Sequence, residues 1–407
     1  MKNRVTFLVY VTTICVSVAC GSSHSPDGVG GSTGTVGKSH TGGTAGATGG
    51  SSTNIGSSSA GGATSTSGGS NACGGLFGGA AAGGALGTGG ATDSGVVAPS
   101  CQSSGPGLTD CGAEGESCCT SLKVTGGTFY RTYTNDGGCA KNTADSATIS
   151  DFRLDKYLVT VGRFRKFVAA WDQGSGYTPD VGSGKHTHLN GRQGLADSGS
   201  PGAYEAGWLG SYTNKLDLSN DTLDCQSNLS TWTGSPGAQE NLPMNCINWF
   251  EAYAFCIWDG GFLASEAEYV YAVAGGSEQR RFPWGSTEPG KDNQYAIWNC
   301  DYPEGSGTCD GTIRNIAKVG TAKLGAGRWG QLDLVGEMIQ WYLDWFAPAY
   351  ANPCTDCANL ADGSGRAPRD GYFGSTDQTL LLSSYRNNGF YPANRFPSYG
   401  FRCARTP

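Results

Sequence analysis

Between positions 21 and 100 the chain offers almost nothing that could be buried. Of these 80 residues, 62 are Gly, Ser, Thr or Ala, with one aromatic, Phe77, and three charges, Asp27, Lys38 and Asp93. Ordering a residue costs about 1–2 kcal/mol of backbone entropy, and side chains this small return too little to offset it. The stretch is therefore expected to be a disordered Gly/Ser/Thr linker. As a random coil it would reach about 50 Å r.m.s.. Folding capacity is confined to residues 101–407, which hold 40 of the 43 aromatic residues, enough for one large domain or two small ones. Formal charge is −7 for the chain and −8 for residues 101–407 alone, with no basic run. An acidic surface of this kind is a poor ligand for polyphosphates, so nucleic acid is excluded as a partner.

Ahead of the linker, Lys2 and Arg4 precede an apolar run over 5–19. The run is too short to span a bilayer and suits a secretory signal over 1–20. It ends Ser17-Val18-Ala19-Cys20-Gly21, small residues before a cysteine that resemble a bacterial lipobox, although Ser17 stands where Leu is usual. On that reading Cys20 is lipidated, and the linker tethers a domain to a membrane at the cell envelope or outer surface of a bacterium. The other reading is cleavage after Ala19 and full secretion. Of the 16 cysteines, Cys15 leaves with the leader and Cys20 is acylated, leaving an even 14. In an oxidising compartment these are expected to be structural disulfides. Cys354 with Cys357, and vicinal Cys118 and Cys119, could instead suggest zinc or redox chemistry. A zinc site normally pairs two such clusters, and the other cysteines are scattered.

Residues 101–119 read as a Cys-rich lead-in to a domain over 120–407. Strands are expected at 127–133 and, from alternating polarity, at 149–157. Thr160 can cap a helix whose apolar positions Val161, Phe164, Phe167, Val168 and Trp171 follow three-four spacing. Residues 172–240 have no clear period and read as long ordered loops. Asn248 is expected to cap a helix to Trp258. The Ser265-Glu266-Ala267-Glu268 run has the form of a capping box opening a helix to Ala274, stopped by Gly275 and Gly276. Glu266 and Glu268, two apart on a helix, point to different faces, which argues against an acid/base pair.

Seven stretches, in order, resemble the formylglycine-generating enzyme (sulfatase-modifying factor) family. They are Val124-Thr-Gly-Gly-Thr-Phe129, the segment from Phe152 to Phe167, and Leu242-Pro-Met-Asn-Cys-Ile-Asn-Trp249. Next come Gly261-Phe-Leu-Ala-Ser-Glu-Ala-Glu-Tyr269, Phe282-Pro-Trp-Gly285, the segment from Leu332 to Trp341, and Tyr399-Gly-Phe-Arg-Cys403. The resemblance spans roughly residues 120–405. It implies an α+β, loop-rich domain related to a duplicated C-type lectin fold.

The family's oxidases hold copper with two cysteines five residues apart, and counting from Arg369-Asp-Gly-Tyr372 puts those positions at Ser375 and Leu380. No cysteine lies between Cys357 and Cys403. A hydroxyl and an isobutyl group cannot replace the soft thiolates that Cu(I) prefers, so copper and formylglycine generation are not expected. The resemblance also implies structural calcium. Asp333 and Gln340 would supply side chains, and Gly336 and Met338 carbonyl oxygens. Gln340 stands where Glu is usual, and Glu337 could compensate. A second calcium site would use Asn293 and Asp310, unless the Cys300/Cys309 loop replaces it.

Three functions remain open. A binding module for an unknown extracellular ligand, glycan or peptide, would use a groove containing Tyr385, Arg386, Asn387, Asn388 and Tyr391, whose residue types resemble those of paratopes. Those residues could equally pack a coil-rich carboxyl terminus. An enzyme of altered chemistry would use calcium or a metal at His186 and His188, although His-Thr-His in a polar loop reads first as solvated surface. A Ser-His-Asp arrangement would need one of the same two imidazoles. A purely structural envelope protein is the third reading.

Overall fold

The computed structural model describes residues 97–407 apart from Ala113. The leader and almost the whole linker, with the reading of Cys20 as a lipidation site, lie outside the described residues. The fold is mixed α+β and rich in loops. Strands β1 (Ser121–Val124), β4 (Phe152–Asp155) and β10 (Ala404–Arg405) form one antiparallel sheet in the order β1-β4-β10. A second sheet holds β2 (Gly127–Thr134), β3 (Lys141–Ile149) and β7 (Cys354–Thr355), with β2 and β3 antiparallel and β3 and β7 parallel. Two-residue strands β5 (Ala196–Asp197) and β8 (Cys357–Ala358) pair in parallel, as do β6 (Ile339–Gln340) and β9 (Tyr399–Gly400).

The alternation at 149–157 divides differently from the expectation. Ile149 closes β3, Ser150 and Asp151 turn, and β4 starts at Phe152. Asp151 decides this by accepting from the backbone N–H of Gly126 at 2.8 Å, which fixes a corner inside the apolar run.

The helices follow their caps. Helix α1 (Val161–Trp171) starts where Thr160 Oγ1 accepts from the backbone N–H of Arg163. The short α2 (Asn220–Leu223) is the one α-helix between residues 172 and 240. Asn248 caps α3 (Trp249–Trp258), and Ser265 caps α4 (Glu266–Val273), each in a full capping box with Glu251 and Glu268 respectively. Caps of this kind stabilise by about 1 kcal/mol each. Gly275, at φ 67°, takes the left-handed step that ends α4.

Helices α1 and α3 meet through Phe164 stacked on Phe255 at 5.7 Å, with Phe401 edge-on to both. The Cys256–Cys403 disulfide ties α3 to the carboxyl terminus. Beside it lies a fully buried quartet of charges. Arg163 donates to Asp155 (3.0 Å) and Asp259 (2.6 Å), and Arg405 donates to the same two carboxylates (3.2 and 2.7 Å). Ser100 joins it through its backbone N–H, which donates to Asp259 at 2.9 Å.

The lead-in is stapled by Cys101–Cys119 and Cys111–Cys118, so the vicinal cysteines pair with different partners. Cys225–Cys246, Cys300–Cys309 and Cys354–Cys357 complete six pairs joining described residues, and Cys139 is also disulfide-bonded. Bridges at this density form in oxidising, extracellular-type compartments. Among the described residues no helix is long and apolar enough to cross a membrane.

Candidate functional site

Gly371 brings the two positions expected to carry thiols into one place. A Cβ on Gly371 would lie 3.1 Å from Ser375 Oγ and 3.2 Å from Leu380 Cβ. The absence of that atom is what lets the backbone approach both. Ser375 is buried; its Oγ accepts from the backbone N–H of Tyr372 at 2.9 Å, and its carbonyl accepts from Asn299 N–H at 2.9 Å. The segment leading to Gly371 is anchored by mutual backbone bonds between Gln340 and Arg369. Asp370, just before Gly371, accepts from the Tyr269 hydroxyl at 2.7 Å, and burial pushes its carboxyl up to about 7. The donor set is one hydroxyl beside hydrocarbon. It does not fit copper, which prefers paired sulfur here.

The loop expected to hold calcium is organised around Arg402, which is almost completely buried. Its guanidinium donates to Gln340 Oε1 (2.8 Å) and to the carbonyls of Asp155, Lys156, Leu332 and Asp333 (3.1, 3.1, 2.8 and 2.5 Å). The Gln340 amide donates onward to the carbonyls of Asp333 (3.2 Å) and Leu334 (3.1 Å). The Gly336 carbonyl accepts from Met338 N–H at 2.6 Å. Three of the four expected ligand groups, Gln340, Gly336 and Asp333, are thus engaged within the protein, since Asp333 Oδ2 also accepts from Gly320 N–H at 2.6 Å. Met338 is fully buried. Burial raises Asp333 to about 6, and burial with Asp333 nearby holds Glu337 well above the ordinary carboxylate range. Glu337 Oε2 is buried and has no protein partner. Asn293 and Asp310 bond to different neighbours. Asn293 Nδ2 donates to the Asp301 carbonyl, while Asp310 accepts from Thr312 N–H and hydroxyl.

His186 is not the solvated loop residue expected from its polar surroundings. It is fully buried, with Nδ1 2.9 Å from Glu205 Oε2 and Nε2 3.1 Å from Glu268 Oε2. Burial alone would lower its pKa, but Glu268 and Glu205 outweigh burial and raise it to about 10. The ring is therefore a cation clamped between carboxylates, one of which already serves a helix cap. Both nitrogens are occupied. His188, half-buried, stacks on Phe262 with ring centroids 5.7 Å apart, and its two nitrogens have no protein partner. Among the described residues no group of three or more His, Cys, Asp or Glu has a metal-holding arrangement. The polar loop gave no signal of this clamp, because Glu205 lies 19 residues and Glu268 82 residues away in sequence.

The carboxyl-terminal groove residues divide between inside and outside. Arg386 turns inward, donating to Glu266 Oε1 and Oε2 at 2.6 and 2.8 Å, with its guanidinium over the Tyr350 ring at 4.2 Å. Glu266 also accepts from Arg369 at 3.0 Å, so it is a buried counter-ion. The Tyr385 carbonyl accepts from Arg369, and Asn387 donates to the Asp370 carbonyl. Asn388 is exposed, and Tyr391 is 61% exposed.

Residues 110–407 match the sulfatase-modifying factor enzyme 1-like domain family. The chain belongs to that family. It is 28% identical over 291 residues to the formylglycine-generating enzyme of Streptomyces coelicolor, covering 69% of this chain and 85% of that protein. It is also 28% identical over 164 residues to the inactive C-alpha-formylglycine-generating enzyme 2 of Mus musculus, covering 40% of this chain and 49% of that one. Among solved structures, PvdO from Pseudomonas aeruginosa aligns with a TM-score of 0.46 at 18% identity, over 75% of this chain and all of PvdO. Ser375 and Leu380, the positions expected from the sequence to correspond to the family's cysteines, both lie against Gly371.

Proposed function

We propose that this protein is an exported, lipid-anchored sulfatase-modifying-factor domain without formylglycine-generating activity, acting as a surface binding module for an extracellular ligand. One observation carries the loss of activity. The backbone at Gly371 packs against a hydroxyl and an isobutyl side chain, Ser375 and Leu380, which offer no thiolate pair to hold Cu(I). The mouse relative whose name describes it as inactive offers a precedent within the family. The scaffold is read as the duplicated lectin-like architecture, held by disulfides and by the buried Arg–Asp quartet instead of by a catalytic metal. Lipidation of Cys20 and tethering by the linker follow from the leader and composition alone, and support display of the domain at the bacterial surface.

The test is incubation of copper-supplemented protein with a sulfatase-derived cysteine peptide, followed by mass spectrometry. No aldehyde is expected; aldehyde formed in proportion to protein would refute the reading. Radiolabelled fatty acid should be incorporated and lost in Cys20→Ala. The same reading keeps calcium as a structural ion, with Asp333 and Glu337 as its carboxylates, supported by the unpartnered Glu337 Oε2.

A further inference from the structure

The carboxyl end of α1 opens on a cavity of about 470 Å³, lined on its apolar side by Val168, Ala169, Trp171 and Leu218. Leu218 is buried, Val168 and Trp171 are half-buried and Ala169 is exposed, so the apolar wall runs from the core out to solvent. A second cavity, of about 500 Å³, shares Asn220 with the first. Asn220 Oδ1 accepts from the Trp232 indole N–H at 2.9 Å, which fixes this side chain between the two. None of Ser375, Leu380, His186 or the Tyr385–Tyr391 residues lines either cavity. At roughly 30 Å³ per water, each has room for on the order of fifteen waters, enough for a whole side chain.

Charge decides what fits such a groove. Asp172 lines the first cavity, Asp221 and Asp224 line the second, and all three are exposed. Among the described residues, no Lys, Arg or His lines either cavity, and none of the three carboxylates forms an ion pair. Asp172 is also the C-cap of α1, whose last turn has no basic side chain. A helix carries partial negative charge at that end, so Asp172 adds to the charge instead of offsetting it. Arg165 lies over the Trp232 ring at 4.3 Å, but it is paired with Glu240 at 3.0 and 2.7 Å. Lys166, on the same helix, lines neither cavity.

An anionic ligand would be repelled along the whole groove, and a neutral one would leave three negative charges unanswered. An apolar recess beside an acidic one suits a ligand with an apolar group and a cation a few atoms apart. We infer that the groove binds an extended segment of a partner protein in which Leu, Ile or Phe stands beside Lys or Arg. The apolar side chain enters the first cavity and the cation lies among Asp221 and Asp224 in the second. The Asn220 amide can donate to a carbonyl of the segment between them. The inference rests on the binding-module reading above and gives it a ligand class and a place.

The probes are acetylated, amidated pentapeptides, Gly-Leu-Lys-Lys-Gly and Gly-Phe-Arg-Arg-Gly, titrated into the purified full chain while tryptophan fluorescence is read. At least one should saturate, with Kd between about 1 and 100 μM at low salt, weakened about tenfold by molar salt. Replacing the basic residues by Gln, or Leu and Phe by Ala, should each weaken binding by about tenfold. Asp221→Asn combined with Asp224→Asn should do the same. Ala169→Lys, which sets a cation at an exposed position of the apolar wall, should abolish the response. Asp136→Asn, between β2 and β3 and outside both cavities, should leave it unchanged. No saturable response to either peptide overturns the inference, as does equal binding of the Gln peptides. Tighter capture of an N-acetylglucosamine tetramer at the same Ala169→Lys-sensitive site also overturns it. Peptide binding that survives Ala169→Lys but is lost in Tyr391→Ala overturns this groove and spares the binding-module reading. Aldehyde formation on the sulfatase peptide overturns that reading itself.

Discussion

Replacing Asp259 by Asn isolates the buried charge quartet, because the shape is kept and one charge is lost. Asp259 accepts from Arg163 at 2.6 Å, Arg405 at 2.7 Å and Ser100 N–H at 2.9 Å, and none of the paired side chains exceeds 3% exposure. In the native protein two guanidinium groups face two carboxylates and the cluster is neutral. Asp259→Asn leaves a net positive charge with no water to solvate it, and an amide can offer only one acceptor where the carboxylate offered two. Removing one partner of a buried ion pair costs about 3–5 kcal/mol, most of it the uncompensated charge left behind. At about 2–4 °C per kcal/mol for a domain of this size, Tm should fall by roughly 10 °C. The assay is calorimetry of the oxidised protein at neutral pH. Asp136→Asn serves as the control, since Asp136 pairs with Lys141 at 3.2 Å with side chains 75% and 64% exposed; its Tm should match the parent's. Adding Arg405→Met to Asp259→Asn restores neutrality and should recover part of the loss. If Asp259→Asn melts with the Asp136→Asn control, the quartet does not stabilise the fold as argued.

Asp370, raised to about 7 from an ordinary 3.8, binds a proton more tightly folded than unfolded. Its contribution is full below about pH 4 and lost as pH rises through 7, a difference of up to about 4 kcal/mol. Asp370→Asn, tolerated at φ 82°, should flatten urea stability between pH 4 and 8 and stabilise the protein at the upper end. Breaking Cys256–Cys403 by double substitution to Ser opens a link across 147 residues, and should cost about 5 kcal/mol in the chain-entropy account, read from the urea midpoint. His186→Gln removes the cation between Glu205 and Glu268 and should cost about 3–5 kcal/mol by the same measurement. Calcium added to chelator-treated protein should raise Tm, and Glu337→Gln should abolish that rise; an equal rise in the variant would remove Glu337 from the ion.

What could be read in advance was local. Thr160, Asn248 and Ser265 each satisfy backbone donors within three residues, so the helix starts were legible from spacing alone. The cysteine content and the lack of thiols between Cys357 and Cys403 needed no coordinates either. The corner at Ser150 and Asp151 was missed because a single hydrogen bond to Gly126 overrides an alternating pattern. His186 looked like surface because polar neighbours say nothing about carboxylates brought in from other segments.

The candidate sites follow the same division. The identities of Ser375 and Leu380, on which the expectation of no copper chemistry rests, are given by the sequence alone. Only the tertiary structure sent Arg386 inward to Glu266, spent Gln340 on Arg402, and set Arg366 between Trp249 and Trp345. Composition and short-range spacing determine which atoms are available and where helices begin. Which atoms meet depends on contacts across a hundred or more residues, where burial turns an isolated charge into a large cost and forces each one to find a partner.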